Sequence, residues 1–299
     1  MKRILFAAAF ALPFTLGCSA ASGVVASEVV STASGGVYAE DDDPELIRQA
    51  IPFGLKTMEG LLEDHPRHEG LLTTLASGFS QYSYAFVATP ADEAELEGKS
   101  DVARPLRSRA KKLFLRAREY GLRGLDVRHK GLADKLRSLR GLKDALAPLE
   151  KDDVPLMYWT AVAWALAIAN GKDDMDLVSQ VPAPEALMQR ALALDESFGE
   201  GSIHEFLLVW DAARGGADPA LAKQHLDRAL ALSKGKKLTA LVSYAESVSV
   251  LRQDRAEFTR LLEQVLAYDV EADPPHRLAN VLAQRRARFL LAHADDLFS

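Results

Sequence analysis

The chain has 299 residues, of which 48% are hydrophobic and 26% are charged, and its formal net charge is −6 at pH 7. This composition is typical of a folded globular protein and excludes an intrinsically disordered one. A single cysteine, Cys18, excludes a disulfide within the chain. A hydrophobic core must therefore stabilise the fold.

The N-terminus has the pattern of a secretory signal. Lys2 and Arg3 precede an apolar run over residues 4–16, which is shorter than the roughly 20 residues that a helix needs to cross a bilayer. We therefore expect residues 1–17 to be a signal peptide that is absent from the mature protein.

The cysteine lies where a bacterial lipoprotein would be cleaved and acylated. Gly17-Cys18 resembles the end of a lipobox, although Thr15 occupies the position where leucine is usual. Small residues also surround Ala20, so an ordinary signal cleavage there stays an alternative. An otherwise soluble exported protein has little reason to place its single thiol at the cleavage point, and we predict lipidation of Cys18.

The residues after the cysteine predict a tether. Residues 18–43 are rich in Ser, Ala, Gly and Val, and they end in four consecutive acidic residues. Whether part of this segment packs on the folded body stays open. Because Ser19 rather than aspartate follows the cysteine, the bacterial sorting rule predicts a lipid anchor on the periplasmic face of the outer membrane of a Gram-negative bacterium.

Internal repetition predicts the architecture of the remaining chain. Over residues 44–299, Leu and Ala recur at spacings of three and four, which indicates helices. The run RALALD at 190–195 returns 38 residues later as RALALS and 36 residues after that as QVLAYD, close to the tetratricopeptide period of about 34. We predict an all-α superhelical solenoid of divergent tetratricopeptide-like helix pairs. Partner helices are predicted over residues 71–87, 154–169, 201–213, 238–251 and 275–293.

Catalytic motifs are not recognisable. His204-Glu205 begins like a zinc-protease helix, but Leu208 stands where the second histidine belongs. Phosphate loops, dinucleotide fingerprints and nucleophile elbows are likewise missing from the sequence. We expect no enzyme activity, no cofactor and no metal. A cell-wall enzyme that uses Glu205, Glu196 or Glu246 as a buried acid stays an alternative.

One stretch is strongly basic. Residues 104–143 hold 14 Lys or Arg and three acidic residues. They form either a solvated helix face paired with acidic neighbours, or a landing site for an acidic partner protein or lipid phosphates. Nucleic acid is not an expected partner of an exported protein. The candidate basic patch comprises Arg116, Arg118, Arg123 and Arg128.

Aromatic residues cluster on three predicted helices. Tyr82 and Phe86 share a helix face at a spacing of four, whereas Tyr84 points elsewhere. Such residues usually belong to a core, but the concave face of a solenoid also binds partners through aromatic side chains. The candidate groove or partner-binding residues are Tyr82, Tyr84, Phe86, Tyr158, Trp159, Trp164, His204, Glu205 and Trp210.

Several short runs, in matching order, carry a family resemblance. They are GFSQYSYAF at 78–86, KLFLRAREYGLRGL at 112–125, YW at 158–159, ALDESF at 193–198 and IHEF at 203–206, together with the start of the body at 43–46 and its end at 277–298. The sequence resembles the T-component (TatT) family of TRAP (tripartite ATP-independent periplasmic) transporters. The resemblance implies a periplasmic lipoprotein with tetratricopeptide-like helices that associates with the transporter's substrate-binding protein.

The expected function is therefore that of an adaptor. The expected partners are a TRAP-type substrate-binding protein, a small apolar ligand in a groove lined by aromatics, and the membrane through the lipid anchor. A general scaffold lipoprotein of the outer membrane stays an alternative. The transported ligand, the binding face and self-association into a homo-oligomer stay open.

Overall fold

The computed structural model describes residues 36–213 and 219–298, and these residues form helices without any strand. The predicted all-α fold is confirmed. The predicted signal peptide, Cys18 and most of the predicted tether lie outside the described residues. The helices are α1 (Pro44–Asp64), α2 (Glu69–Ser83), α3 (Thr89–Leu96), α4 (Ser100–Arg128), α5 (Leu132–Ser138), α6 (Leu142–Leu146), α7 (Val154–Ala169), α8 (Met175–Val178), α9 (Pro182–Leu194), α10 (Ser202–Ala213), α11 (Pro219–Leu232), α12 (Thr239–Tyr244), α13 (Arg255–Leu266), α14 (Arg277–Ala292) and α15 (Ala294–Leu297).

Local sequence signals set the helix boundaries. At the start of α1, Oδ1 of Asp43 accepts hydrogen bonds from the backbone N–H groups of Glu45 and Leu46, at 2.9 and 3.1 Å, and Pro44 occupies a position that needs no donor. Two helices are extended by π turns, Tyr84–Ala88 after α2 and Ala245–Ser249 after α12. The predicted partner helices therefore correspond to α2, α7, α10, α12 and α14 with these extensions.

The helices form two layers. The inner helices are α1, α2, α7, α10, α12 and α14, and the outer helices are α4, α9, α11 and α13. Helix α4 packs against α2 and α7, α7 also packs against α9, α10 packs against α11, and α13 packs against α14. This alternation is the pattern expected of stacked helix pairs, in which each unit buries the apolar face of its neighbour.

The core lies between the two layers. One apolar cluster extends from Leu55 to Leu207, and a second extends from Leu208 to Ala294. Helices α4 and α7 approach each other closely, since a β-carbon on Gly121 would lie 2.1 Å from Oγ1 of Thr160. Glycine is required there because any side chain would overlap the neighbouring helix.

The two ends of the described chain meet. The backbone N–H of Leu278 donates to the carbonyl oxygen of Ala39 at 2.9 Å, and Nη1 of Arg277 donates to the carbonyl oxygen of Glu40 at 2.8 Å. Helix α14 also packs against α1. The inner helices thus enclose a central space, and residues 39–40 of the predicted tether pack on the body.

Candidate functional site

A central cavity of about 1670 Å³ lies inside the inner helices. It is larger than the roughly 300–1,000 Å³ typical of sites for drug-sized molecules. Its wall consists mostly of apolar and aromatic side chains, and the outer helices α4, α9, α11 and α13 contribute none of the residues in it. The two layers therefore have separate roles, since the inner helices form the wall and the outer helices support it.

Aromatic rings form one end of the cavity, where α7 and α10 begin. The ring centroid of Tyr158 lies 5.0 Å from that of Trp159 and 5.1 Å from that of Phe198. Tyr38 and Ala39 line the same cavity. Burial raises the pKa of Tyr158 above its ordinary value, so its phenol stays protonated at neutral pH.

A charged pair is built into the wall near this end. Nζ of Lys237 lies 3.0 Å from Oε1 of Glu205, and it also donates to Oγ of Ser202 at 2.7 Å and to the carbonyl oxygen of Gly199 at 3.0 Å. Oγ1 of Thr239 donates to Oε2 of Glu205 at 3.0 Å. These contacts pair the two charges within the protein, although Oε1 of Glu205 itself accepts no hydrogen bond among the described residues.

The opposite end of the cavity, where the inner helices terminate, contains a partly buried arginine. The side chain of Arg286 is 11% exposed; it pairs with Glu246, and its Nη1 lies 3.5 Å from Oε1 of Glu93. Tyr84 stands nearby and exposes about half of its surface (51%) to the cavity. Desolvation by the surrounding protein, together with the charge of Glu246, raises the pKa of Tyr84 to about 12.

The structure separates the sequence-predicted groove residues into those that line the cavity and those that do not. Two of the residues that do not line it are aromatic. The hydroxyl of Tyr82 accepts a hydrogen bond from Arg109 at 3.3 Å, and the fully buried Trp164 donates to Oε1 of Gln180 at 3.0 Å. Both belong to the core between the layers. The predicted residues that do line the cavity are Tyr84, Phe86, Tyr158, Trp159, Glu205 and Trp210.

His204 also lies outside the wall. Its Nδ1 is 2.8 Å from Nδ1 of His225, and its Nε2 is 3.0 Å from Oε1 of Glu196. Burial lowers the pKa values of both histidines. The hydrogen bond from Arg228 is the chief cause that lowers the pKa of Glu196, to about 2. This cluster links α10 to α11 and is separate from the cavity wall.

All four candidate basic residues lie on the outer helix α4 and engage neighbouring side chains. Arg116 lies over the ring of Phe79, Arg118 over that of Trp164, Arg123 over that of Tyr120, and Arg128 pairs with Glu69 at 2.6 Å. Such contacts use the arginines for packing and local pairing. They favour the interpretation of a paired helix face over that of a dedicated landing site.

Sequence reasoning missed several wall residues. Tyr38 lies in the predicted tether, and Phe198 lies in a turn between helices, so no helical periodicity marks either one. Lys237 and Arg286 acquire their position only when distant segments meet. A signal for Arg286 was available in principle, since a cation on the predicted inner face of α14 interrupts an apolar pattern.

In residues 36–213 and 219–298, no group of three or more His, Cys, Asp or Glu side chains is placed to hold a metal ion. None of the helices in these ranges has both the length and the hydropathy needed to span a bilayer.

The family model of the TRAP transporter T-component matches residues 40–298. A protein of Treponema pallidum (strain Nichols), described only as uncharacterized, is 32% identical over 273 residues, which cover 88% of this chain and 82% of that protein. The T-component family is associated with a transporter and is not known as a family of enzymes. Membership indicates association with other TRAP transporter components and a periplasmic or membrane-associated protein. The predicted family is confirmed, and the chain belongs to the T-component family of TRAP transporters.

Proposed function

We propose that this chain is an adaptor that binds the substrate-binding protein of a TRAP transporter and holds a small apolar ligand in its central cavity. The observation that carries the proposal is the cavity of about 1670 Å³ with its mainly apolar wall. A concave apolar space inside stacked helices is where such folds commonly bind ligands and partners. Family membership supports the association with a transporter.

The carboxylates that a cell-wall enzyme would need are already engaged. Glu196, with a pKa of about 2, stays ionised at neutral pH and is unsuited to act as a general acid. Glu205 faces Lys237, and Glu246 faces Arg286. These contacts support the adaptor over the enzyme. A glycan-release activity that is lost in Glu205→Gln would contradict this choice.

The location of the adaptor is also part of the proposal. We propose that residues 1–17 are a signal peptide, that Cys18 is acylated, and that the body over 44–299 faces the periplasm from the outer membrane. Cys18→Ala should then move the protein from the membrane fraction to the soluble periplasmic fraction. A variant that stays with the outer membrane would show that another element holds it there.

Docking is tested by crosslinking in native cells, purification on a C-terminal tag, and mass spectrometry of the crosslinked proteins. The proposal predicts enrichment of a TRAP-type substrate-binding protein over a mock purification from untagged cells. Enrichment of only outer-membrane assembly or cell-wall proteins would contradict it and favour a general scaffold lipoprotein. Repeating the experiment with Cys18→Ala shows whether docking requires the anchor.

The basic helix α4 allows a separate test of the docking surface. Because its four candidate arginines contact neighbouring side chains, we expect the affinity for the partner to change little with added salt. Exposed charges that steer a partner are screened within about 10 Å at 0.1 M salt. A steep loss of affinity with salt would identify the α4 face as the docking site.

A further inference from the structure

One end of the cavity wall carries hydrogen-bond donors that lack partners. Nε1 of Trp210 is buried and has no hydrogen-bond partner among the described residues, and the buried Nη1 of Arg286 makes no hydrogen bond there although it lies 3.5 Å from Oε1 of Glu93. The hydroxyl of Tyr84 faces the cavity and makes no hydrogen bond within the same part of the chain. A buried donor without an acceptor costs about 1–3 kcal/mol. Two such buried donors, together with the exposed hydroxyl of Tyr84, indicate that a molecule bound in the cavity supplies acceptors.

Contacts between helices bring these donors to the same end. Arg286 on α14 lies against Glu246, in the π turn after α12, and against Glu93 on α3. Helix α3 follows directly on the π turn that holds Tyr84. Helix α10, which carries Trp210 in its last turn, packs against the π turn that holds Glu246. All three donors thus lie at the same end of the cavity.

The charges at this end disfavour an anion. Two carboxylates, Glu93 and Glu246, already flank the single guanidinium of Arg286. A ligand carboxylate bound there would be a third negative charge around one positive charge. In a partly buried site such repulsion is weakly screened.

The remaining charges near this end do not change this conclusion. Asp92 is paired with Arg107 at 2.8 Å, so that pair contributes no net charge. Arg285 and Lys172 also line the cavity, but both are exposed, and exposed charges attract a partner only weakly. The donors therefore face a region without spare positive charge.

We infer that the cavity binds an uncharged amphipathic molecule whose head group accepts hydrogen bonds from Tyr84, Trp210 and Arg286. An amide or ester carbonyl has the required chemistry. The apolar body of the molecule then extends along the wall toward Tyr158 and Phe198. This inference rests on the proposed function of the cavity as a ligand site.

The test compares two probes with the same alkyl chain, one with an uncharged amide head group and one with a negatively charged carboxylate. The full chain is loaded at pH 7 with the apolar fluorophore N-phenyl-1-naphthylamine, which is then displaced with decanamide or with decanoate. We expect decanamide to act at a concentration at least about tenfold lower, equivalent to about 1.4 kcal/mol. Equal or better displacement by decanoate would overturn the inference but leave the cavity as a ligand site.

A lack of fluorophore binding would overturn both the ligand-holding part of the proposed function and the inference. The docking experiment with the substrate-binding protein is independent of this result. Val209→Trp is the variant that assigns the signal to the cavity, because Val209 is exposed toward it. This variant should bind the fluorophore measurably more weakly, because an indole then occupies part of the wall, and full retention would place the fluorophore elsewhere and overturn the inference.

Donor variants test the assigned residues. Tyr84→Phe and Trp210→Phe keep an aromatic ring, and each should weaken decanamide binding about threefold to tenfold, the value of one hydrogen bond. Fluorophore affinity should stay unchanged, which also shows that each variant is folded. Tyr158→Phe, at the other end of the wall, is the matched control. An equal loss in this control, or no loss in the donor variants, would overturn the inference.

Discussion

The helices form a ring around the central cavity, and its two halves are the parts built on the first and on the second apolar cluster. The halves differ in the contacts that join their helices. In the first half, α4 and α7 approach so closely that Gly121 and Gly124 leave no space for a β-carbon. In the second half, polar side chains join the helices. The fully buried Asn280 accepts from the backbone N–H of Leu238 at 3.1 Å and donates to the carbonyl oxygen of Lys236 at 2.8 Å. A close glycine contact thus joins two helices of one half, and a fully buried, hydrogen-bonded amide joins helices of the other.

This difference determines which changes each half tolerates. A close-packed contact fails when volume is added, because the surrounding atoms cannot move aside. A polar contact fails when one partner is removed or changes its charge, because the other partner is left buried and unsatisfied. We therefore expect the largest loss of stability at the contact that has the least free space.

Gly121→Leu should cause the largest loss of stability. The added side chain would overlap Thr160, whose backbone Cα lies 3.2 Å from the position of a β-carbon. We expect a loss of at least about 4 kcal/mol in the free energy of unfolding, measured by urea denaturation. Gly60→Ala is the control, since no atom beyond its chain neighbours and its own helix backbone lies within 4 Å of its β-carbon position. It should gain about 0.5–1 kcal/mol, and a stable Gly121→Leu would contradict the close contact.

Asn280→Leu should be the next most damaging change. It leaves the backbone N–H of Leu238 and the carbonyl oxygen of Lys236 without their partner. The expected loss is about 2–3 kcal/mol, measured in the same way. Gln49→Leu replaces an exposed amide and should change stability by less than about 0.5 kcal/mol. Equal effects of the two substitutions would show that polar satisfaction does not hold the second half together.

Arg286→Met should weaken the closure of the ring. The substitution removes the guanidinium between Glu93 and Glu246, at an expected cost of about 1–2 kcal/mol. Hydrogen exchange should accelerate at the amide of Leu278, which bonds to Ala39 across the closure. Arg255→Met breaks only an exposed pair and should leave this amide unchanged. No acceleration in Arg286→Met would show that other contacts close the ring.

Acidification should destabilise the second half by the smallest amount. Burial lowers the folded-state pKa values of His204 and His225 below about 6.5, their ordinary value. The unfolded chain then binds more protons below that pH, so stability falls as pH decreases from about 6.5 toward the folded-state values. His225→Gln should reduce this slope in thermal melts. An unchanged slope would exclude the histidine pair as its source.

Glu196 acts in a different pH range. Because its pKa is lowered to about 2, the stability that it contributes is complete above its ordinary value and is lost as pH falls toward 2. Its effect can therefore be separated from that of the two histidines by the pH at which stability declines.

Local patterns in the sequence were sufficient to predict several of the helices. The predicted helix over 154–169 coincides with α7, and the repeated run at 190–195 marks the end of α9. Both features depend on apolar periodicity and on breakers within one segment. The ring closure could not be predicted in this way, because the contact of Ala39 with Leu278 depends on small rotations that accumulate over many helices.

The aromatic residues show why the site was harder to predict than the fold. Tyr82 and Phe86 do contact each other, with ring centroids 5.7 Å apart, as a spacing of four predicts. A π turn begins at Tyr84, however, and its wider spacing changes which side chains face inward. Tyr84 and Phe86 therefore line the cavity while Tyr82 lies in the core, which an uninterrupted helical period could not show.

The most direct test of the adaptor is a calorimetric titration of the purified full chain with the substrate-binding protein of a TRAP transporter from the same organism. Our account predicts saturable binding both for the wild type and for Val209→Trp, because that substitution changes the cavity wall and leaves the outside of the ring unchanged. The variant should bind the apolar fluorophore more weakly than the wild type. The absence of saturable binding by the wild type would contradict the proposal that this chain docks the substrate-binding protein.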